Sequence, residues 1–272
     1  MLGSVADAED ILQDAFLRWK QTDEDEVRSA RALLVTIVSR LCINHLQSAR
    51  VQREEYIGQW LPEPVITDPA ADAFSIIRTD ESLSLAFLVL LERLTPQERA
   101  VLLLRDVFDY DYAEIARTIG KDEANCRQIL HRAREHVAEM RPRFGASIEK
   151  KEELLARFLE ATSSGDLSGL VGLLANDVTL HADGGGKGPA IPNLVSGADR
   201  VARALLGGLS KFVPRTLISR KLQINGEPGV VSYLDRRPFS VVTLAIAGDR
   251  IRGVYIVTNP EKLAHLSPLQ VN

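Results

Sequence analysis

Tyr112-Ala-Glu-Ile-Ala-Arg-Thr-Ile-Gly120, followed at once by Lys121–Val137, decides how this chain is read. Ile115, Ala116 and Ile119 recur at helical spacing and form one apolar stripe. Gly120 can take the left-handed backbone that ends a helix. Asp122 can cap a second helix, expected from about Glu123 to Val137. Cys126, Ile129, Leu130, Ala133 and Val137 give that helix a matching apolar face, and small Ala116 permits a close crossing. The pattern is a helix-turn-helix. Its outer face shows Asn125, Arg127, Gln128, His131, Arg132 and Arg134. Arginine neutralises phosphates, while Arg, Asn and Gln match base edges in the major groove. A solvated basic face on an ordinary helical hairpin is the competing reading. The turn glycine, the small-residue crossing and the one-sided polarity together favour DNA.

Upstream, Thr95-Pro-Gln-Glu98 carries a Thr cap, Pro at the first helical position and Glu at the capping-box position. It opens a helix over Gln97–Phe108, after one over Glu81–Arg93. Residues 81–143 therefore form a helical module. Before it, Pro62, Pro64 and Pro69 break the apolar period, and each pushes the residue ahead of it away from helix. Residues 56–80 read as a linker.

Residues 1–55 form another helical module. Ala8, Ile11, Leu12, Ala15, Phe16 and Trp19 mark the apolar side of its first helix. Asp7, Glu9, Asp10 and Asp14 place negative charge at that helix's positive end. A second helix, about Ser29 to Glu54, has Leu34, Ile37, Val38, Leu41 and Leu46 on one side, and Arg31, Arg40, Asn44, Arg50 and Arg53 on the other. Two helices are thin for a core, so the module is read as lacking a preceding helix.

Residues 146–272 are richer in glycine and end in β-branched runs. Helices are expected at about 149–163, 166–174 and Gly197–Leu209. Strands are expected at Asp177–His181, Thr216–Ile224, Gly229–Leu234, Phe239–Ala247 and Arg250–Thr258, the last two joined by a Gly248-Asp249 hairpin turn. Helices followed by an antiparallel sheet give an α+β module. Asp183-Gly184-Gly185-Gly186-Lys187 is a loop whose glycines allow positive φ and close backbone approach. Asp183 and Lys187 are placed either to ion-pair across it or to meet another domain. It lacks the spacing and the Lys-Ser/Thr ending of a phosphate-binding loop.

The whole chain has 272 residues, 45% of them hydrophobic, and a net charge of -4, so any DNA-binding charge must be local. Its two cysteines, Cys42 and Cys126, read as free thiols in a reducing compartment. No run reaches the ~18 apolar residues of a membrane span. The acidic N-terminus is unlike a signal peptide, so a cytoplasmic location is expected.

Asp7-Ala-Glu-Asp10-Ile-Leu-Gln13-Asp14-Ala-Phe16 resembles region 2 of the extracytoplasmic-function (ECF) sigma factors. Leu94-Thr-Pro-Gln-Glu-Arg99 and the helix-turn-helix ending His131-Arg-Ala-Arg134 resemble region 4. Trp60-Leu-Pro-Glu-Pro64, Asp183-Gly-Gly-Gly-Lys187 and Asn259-Pro-Glu-Lys-Leu263 resemble the members with a SnoaL-like (NTF2-like) C-terminal extension. The implied fold is multidomain: two all-α modules, then an α+β NTF2-like cone. The resemblance implies two partners: promoter DNA, and RNA polymerase core through its β′ clamp helices and β flap. It implies no cofactor, no metal and no membrane. Asp10, Gln13 and Asp14 would face polymerase. Arg40 and Asn44 would engage the minus-ten element, and the last helix of region 4 the minus-thirty-five element. Trp60, Pro62, Glu63, Pro64, the loop Asp183, Gly184, Gly185, Gly186 and Lys187, and Asn259 with Pro260 would regulate activity in cis. The alternatives are a helix-turn-helix regulator with a ligand-sensing domain, or an NTF2-like cyclase or isomerase using His181 and Asp183.

Overall fold

The computed structural model describes residues 1–22, 27, 29–53, 56–67, 84–138, 146–214 and 216–270. Pro69, the onset of the helix expected from Glu81, and the side chains of Arg50 and Arg53 lie outside the described residues. The chain forms two compact units, Met1–Glu55 with Leu90–Met140 and Tyr56–Val89 with Arg141–Asn272.

The first unit is helical: α1 (Val5–Lys20), α2 (Ala30–Arg53), the end of α3 (Leu85–Leu91), α4 (Pro96–Leu102), α5 (Tyr112–Ile119) and α6 (Glu123–Ala138). Local chemistry sets their ends. Ser4 caps α1 by accepting from the Asp7 N–H. Thr95 and Glu98 complete a reciprocal capping box at α4. Asp111 and Glu114 make a second at α5. Gly120 ends α5 at φ 69°, and Asp122 accepts from the Asn125 N–H at 2.7 Å. The helix expected over Gln97–Phe108 is not a single α-helix. It widens into a π-helical turn over Leu103–Val107, with the Phe108 N–H bonded back to the Leu103 carbonyl. Cys126, Ile129, Leu130, Ala133 and Val137 of α6 are all buried, as is Ile115.

Around α1, Leu2, Ile11, Ala15, Leu41, Cys42 and Leu46 form a small core. Leu12 and Phe16, which the helical period placed on that side, instead face solvent at 62% and 55% exposure, beside Leu17 at 55%. Leu34 of α2 is exposed as well. Helix α1 packs chiefly on α2, which buries only a narrow stripe and leaves α1 a second apolar face.

The second unit is α+β: α7 (Ile148–Ser164), α8 (Leu167–Leu173), β1 (Leu174–Asp183), β2 (Val195–Ser196), α9 (Ala198–Phe212), β3 (Ile218–Ile224), β4 (Glu227–Leu234), β5 (Arg237–Ala247), β6 (Arg250–Val257) and α10 (Pro260–Leu263). The six-stranded sheet runs β2-β1-β6-β5-β4-β3, and only the β1–β6 pairing is parallel. Leu174, expected at a helix end, opens β1, which starts before Asp177. The β3–β4 turn is Asn225-Gly226, both at positive φ, an unread hairpin signature that starts β4 before Gly229.

Side chains alternate across the sheet. Val242, Leu244 and Ile246 of β5 point to the core shared with Leu154, Phe158, Leu170, Val201 and Leu205 from α7, α8 and α9. Val241 and Ala245 point to the other side, where Leu61, Leu85, Tyr255, Leu263, Leu266 and Leu269 gather. The start of the linker therefore belongs to this unit and covers one face of its sheet. Ile66 bridges Ile224, and Val65 and Asn225 exchange hydrogen bonds. Among the described residues no helix is long and apolar enough to cross a membrane.

Candidate nucleic-acid interface and linker anchor

The outer face of α6 is polar. Arg127, Gln128, His131, Arg132 and Arg134 are exposed, and Asn125 is half-buried. Neighbouring carboxylates hold most of its cations. Arg127 pairs with Glu123 at 2.9 Å and lies 4.7 Å from the centre of the Tyr112 ring. Arg134 takes both oxygens of Asp106, at 2.6 and 3.1 Å, which pushes its already high pKa further up. His131 stands 3.5 Å from Glu135. Arg132 has no carboxylate partner among the described residues. These exposed pairs are weak and exchangeable, so a phosphate can replace the carboxylate.

Asp10, Gln13 and Asp14 are exposed on α1, beside the outward Leu12, Phe16 and Leu17. Asn44 is exposed on α2. Arg40 is engaged elsewhere: its Nε donates to the Thr118 carbonyl at 2.9 Å and its Nη2 to the Arg117 carbonyl at 3.1 Å.

The second cluster centres on Asp183, at the end of β1 and fully buried. One oxygen accepts from the Tyr56 hydroxyl at 2.6 Å and the Gly185 N–H at 3.0 Å. The other accepts from the Leu61 N–H at 2.8 Å and Lys262 Nζ at 2.7 Å. Lys262 also donates to the Leu61 carbonyl and lies 4.0 Å from the Trp60 ring centre and 5.0 Å from that of Tyr56. Asn259 caps α10 with Oδ1 and donates from Nδ2 to the Tyr56 oxygen at 2.8 Å. Pro260 is the first residue of that helix. Pro62 and Pro64 are buried, and His265 reaches the Pro64 carbonyl at 2.9 Å and Glu63 at 3.9 Å. Burial first, then the bond to Asp183, raises the Tyr56 pKa far above the ordinary phenol range.

The glycine loop lets this cluster close. Gly185 sits at φ 56°, and a Cβ there would lie 2.3 Å from Asn259 Nδ2 and 2.9 Å from the Tyr56 oxygen. Of the two arrangements open to Asp183 and Lys187, the pair across the loop is not formed. Asp183 points inward to Lys262, while Lys187 at the exposed end pairs with Glu261. The three motifs Trp60–Pro64, Asp183–Lys187 and Asn259–Leu263 thus meet. Tyr56 and Lys262, central to the meeting, were not singled out from sequence, although Lys262 lies inside the third motif. His181 does not share the work of Asp183: it stacks on Tyr255 at 5.0 Å and bonds Thr179 at 3.2 Å.

Helical segments followed by an α+β domain are the arrangement of an RNA polymerase sigma factor with a C-terminal extension. Residues 1–51 match the model of sigma-70 region 2, and residues 84–137 that of sigma-70 region 4. The chain belongs to the ECF RNA polymerase sigma factors. It is 37% identical over 281 residues to the ECF RNA polymerase sigma factor SigJ of Mycobacterium tuberculosis strain H37Rv, an alignment covering 99% of this chain and 89% of that protein. It is 33% identical over 267 residues to the probable ECF RNA polymerase sigma factor SigI of the same species, covering 97% of this chain and 88% of the relative. The crystal structure of M. tuberculosis SigJ matches with a TM-score of 0.79 at 33% identity, covering 99% of this chain and 93% of that one.

Proposed function

We propose that this sigma factor reads its promoter through α6 and α2, docks on polymerase through α1, and is tuned in cis by its C-terminal unit through the linker. The buried Asp183 cluster carries this reading. It joins three segments far apart in sequence and grips residues 56–67, which run between the two promoter-reading modules. A change in that grip alters the length of connector left to those modules, so it sets how they meet a promoter. Asn125, Arg127, Gln128, His131, Arg132 and Arg134 address the minus-thirty-five element, with Arg40 and Asn44 at the minus-ten element. Asp10, Gln13 and Asp14, rimming the exposed Leu12 and Phe16, meet the β′ clamp helices, and the region-4 module meets the β flap. The protein works in the cytoplasm and carries no reaction. Asp183 accepts four hydrogen bonds, which suits an anchor and leaves it poorly placed for acid–base work.

Run-off transcription from a cognate promoter with core polymerase tests this reading. Arg132→Ala should lower promoter use without changing stability, and Asp183→Asn should change it through the linker. Parent-like transcription by both variants would sink the assignment.

A further inference from the structure

We propose that Arg40 is a latch: in the free chain it fastens α2 to the end of α5, and it lets go when the two modules take up promoter DNA. This rests on the reading of both modules as promoter readers.

The last carbonyls of an α-helix have no partner within the helix and carry the negative end of its dipole. At α5 two of them, from Arg117 and Thr118, are taken by Nη2 and Nε of Arg40. The planar guanidinium presents its donors as a fixed fork, so this edge cannot hold two carbonyls and a phosphate together. A second contact supports the first: Thr36 Oγ1 lies 3.5 Å from Thr118 Oγ1, and Thr118 is only 4% exposed. The end of the first helix of the helix-turn-helix is therefore covered by the helix that carries the minus-ten contacts.

That closed unit is too small for its task. The two elements, by their names, lie roughly 25 base pairs apart, about 80 Å along the duplex at roughly 34 Å per turn. Helix α2 has 24 residues, about 36 Å in all. The reader helix α6, which follows α5 after Gly120, adds 16 residues, about 24 Å, so α2 and α6 fall short of that span even end to end, and α2 and α5 must part. Arg40 is a fitting release point, because the group that closes the pair is also one that DNA recruits. Opening exchanges two carbonyl acceptors for a phosphate.

The test uses the full chain carrying Thr36→Cys and Thr118→Cys. Mild oxidation of the free protein should link the two positions in most molecules. Run-off transcription should fall at least tenfold in the linked protein and return on reduction. Core polymerase and promoter added before oxidation should cut the yield of linked protein several-fold. The single-cysteine variants control for oxidation of buried Cys42 and Cys126. A free chain that fails to link, or a linked chain that transcribes like its reduced form, overturns the latch. A reduced chain and a parent that both fail to transcribe would instead overturn the promoter reading. A pair of spin labels at exposed Ala32 and Arg117 avoids any buried substitution. Their separation should be short in the free chain and at least twofold longer with polymerase and promoter; an unchanged separation overturns the latch.

Discussion

Arg134 on α6 and Lys262 in the C-terminal unit make ion pairs of nearly equal length, 2.6 and 2.7 Å, in opposite surroundings. The Arg134 side chain is 56% exposed and its Asp106 partner 28%; Lys262 and Asp183 are at 8% and 0%. Water screens the first pair, so it contributes about 0–1 kcal/mol and exchanges readily. The second is held by burial, and losing one partner strands the other charge, at about 3–5 kcal/mol. The same chemistry thus serves a replaceable contact on the exposed face of α6 and a fixed joint in the C-terminal unit.

The largest expected effect breaks the fixed joint. Asp183→Ala removes the carboxylate shared by the Lys262 ammonium, the Tyr56 hydroxyl and the Leu61 and Gly185 N–H groups, and leaves Lys262 a buried charge without its counter-ion. It should destabilise the second unit by about 3–5 kcal/mol in denaturant unfolding. Trp60 lies in that cluster and Trp19 lies in the other unit, so fluorescence in a Trp19→Phe background isolates the transition. A shift below about 1 kcal/mol would show that the buried pair is no joint.

Tyr56→Phe is milder, removing one hydroxyl from the same cluster for about 1–3 kcal/mol. Its pH behaviour sharpens the point. The folded pKa is raised above the unfolded value of about 10, so the neutral phenol favours the folded state. That contribution is complete below about pH 10 and is lost as pH rises toward the folded pKa. Above pH 10 the parent should therefore lose stability more steeply than the Phe variant; parallel curves would refute the role of the phenol.

How far sequence reached follows the same divide. The helix-turn-helix was legible because its signals are local: the Ile115/Ala116/Ile119 stripe, the Gly120 stop and a polar face six residues wide. The Asp183 joint was not. Its partners Tyr56, Leu61 and Lys262 are 127, 122 and 79 residues away, and nothing in a period or cap reports such a meeting. The glycine loop signalled a close backbone approach; of the two readings of Asp183 and Lys187, pairing with each other or meeting another domain, the first is not formed. The outward turn of Leu12 and Phe16 was equally hidden, because periodicity gives a stripe and not its partner.

The replaceable side is tested on α6. Arg132→Ala should reduce promoter affinity in the holoenzyme about tenfold, at constant salt, with a stability change within about 0.5 kcal/mol. Arg127→Ala should cost less, because Glu123 and the Tyr112 ring already hold that guanidinium and must give it up on binding. Equal losses would mean that the pairing on the free helix does not shape its use.

The smallest expected effect lies at the other end of the glycine loop. Lys187 pairs with Glu261, with both side chains more than half exposed. Lys187→Ala should change the unfolding free energy by less than about 0.5 kcal/mol. Its transcription then separates two roles that Asp183→Ala leaves merged. If run-off changes while stability does not, the loop acts through a surface that Lys187 helps to form. Parent-like run-off would leave the proposed regulatory role of the motif to its buried Asp183 end alone.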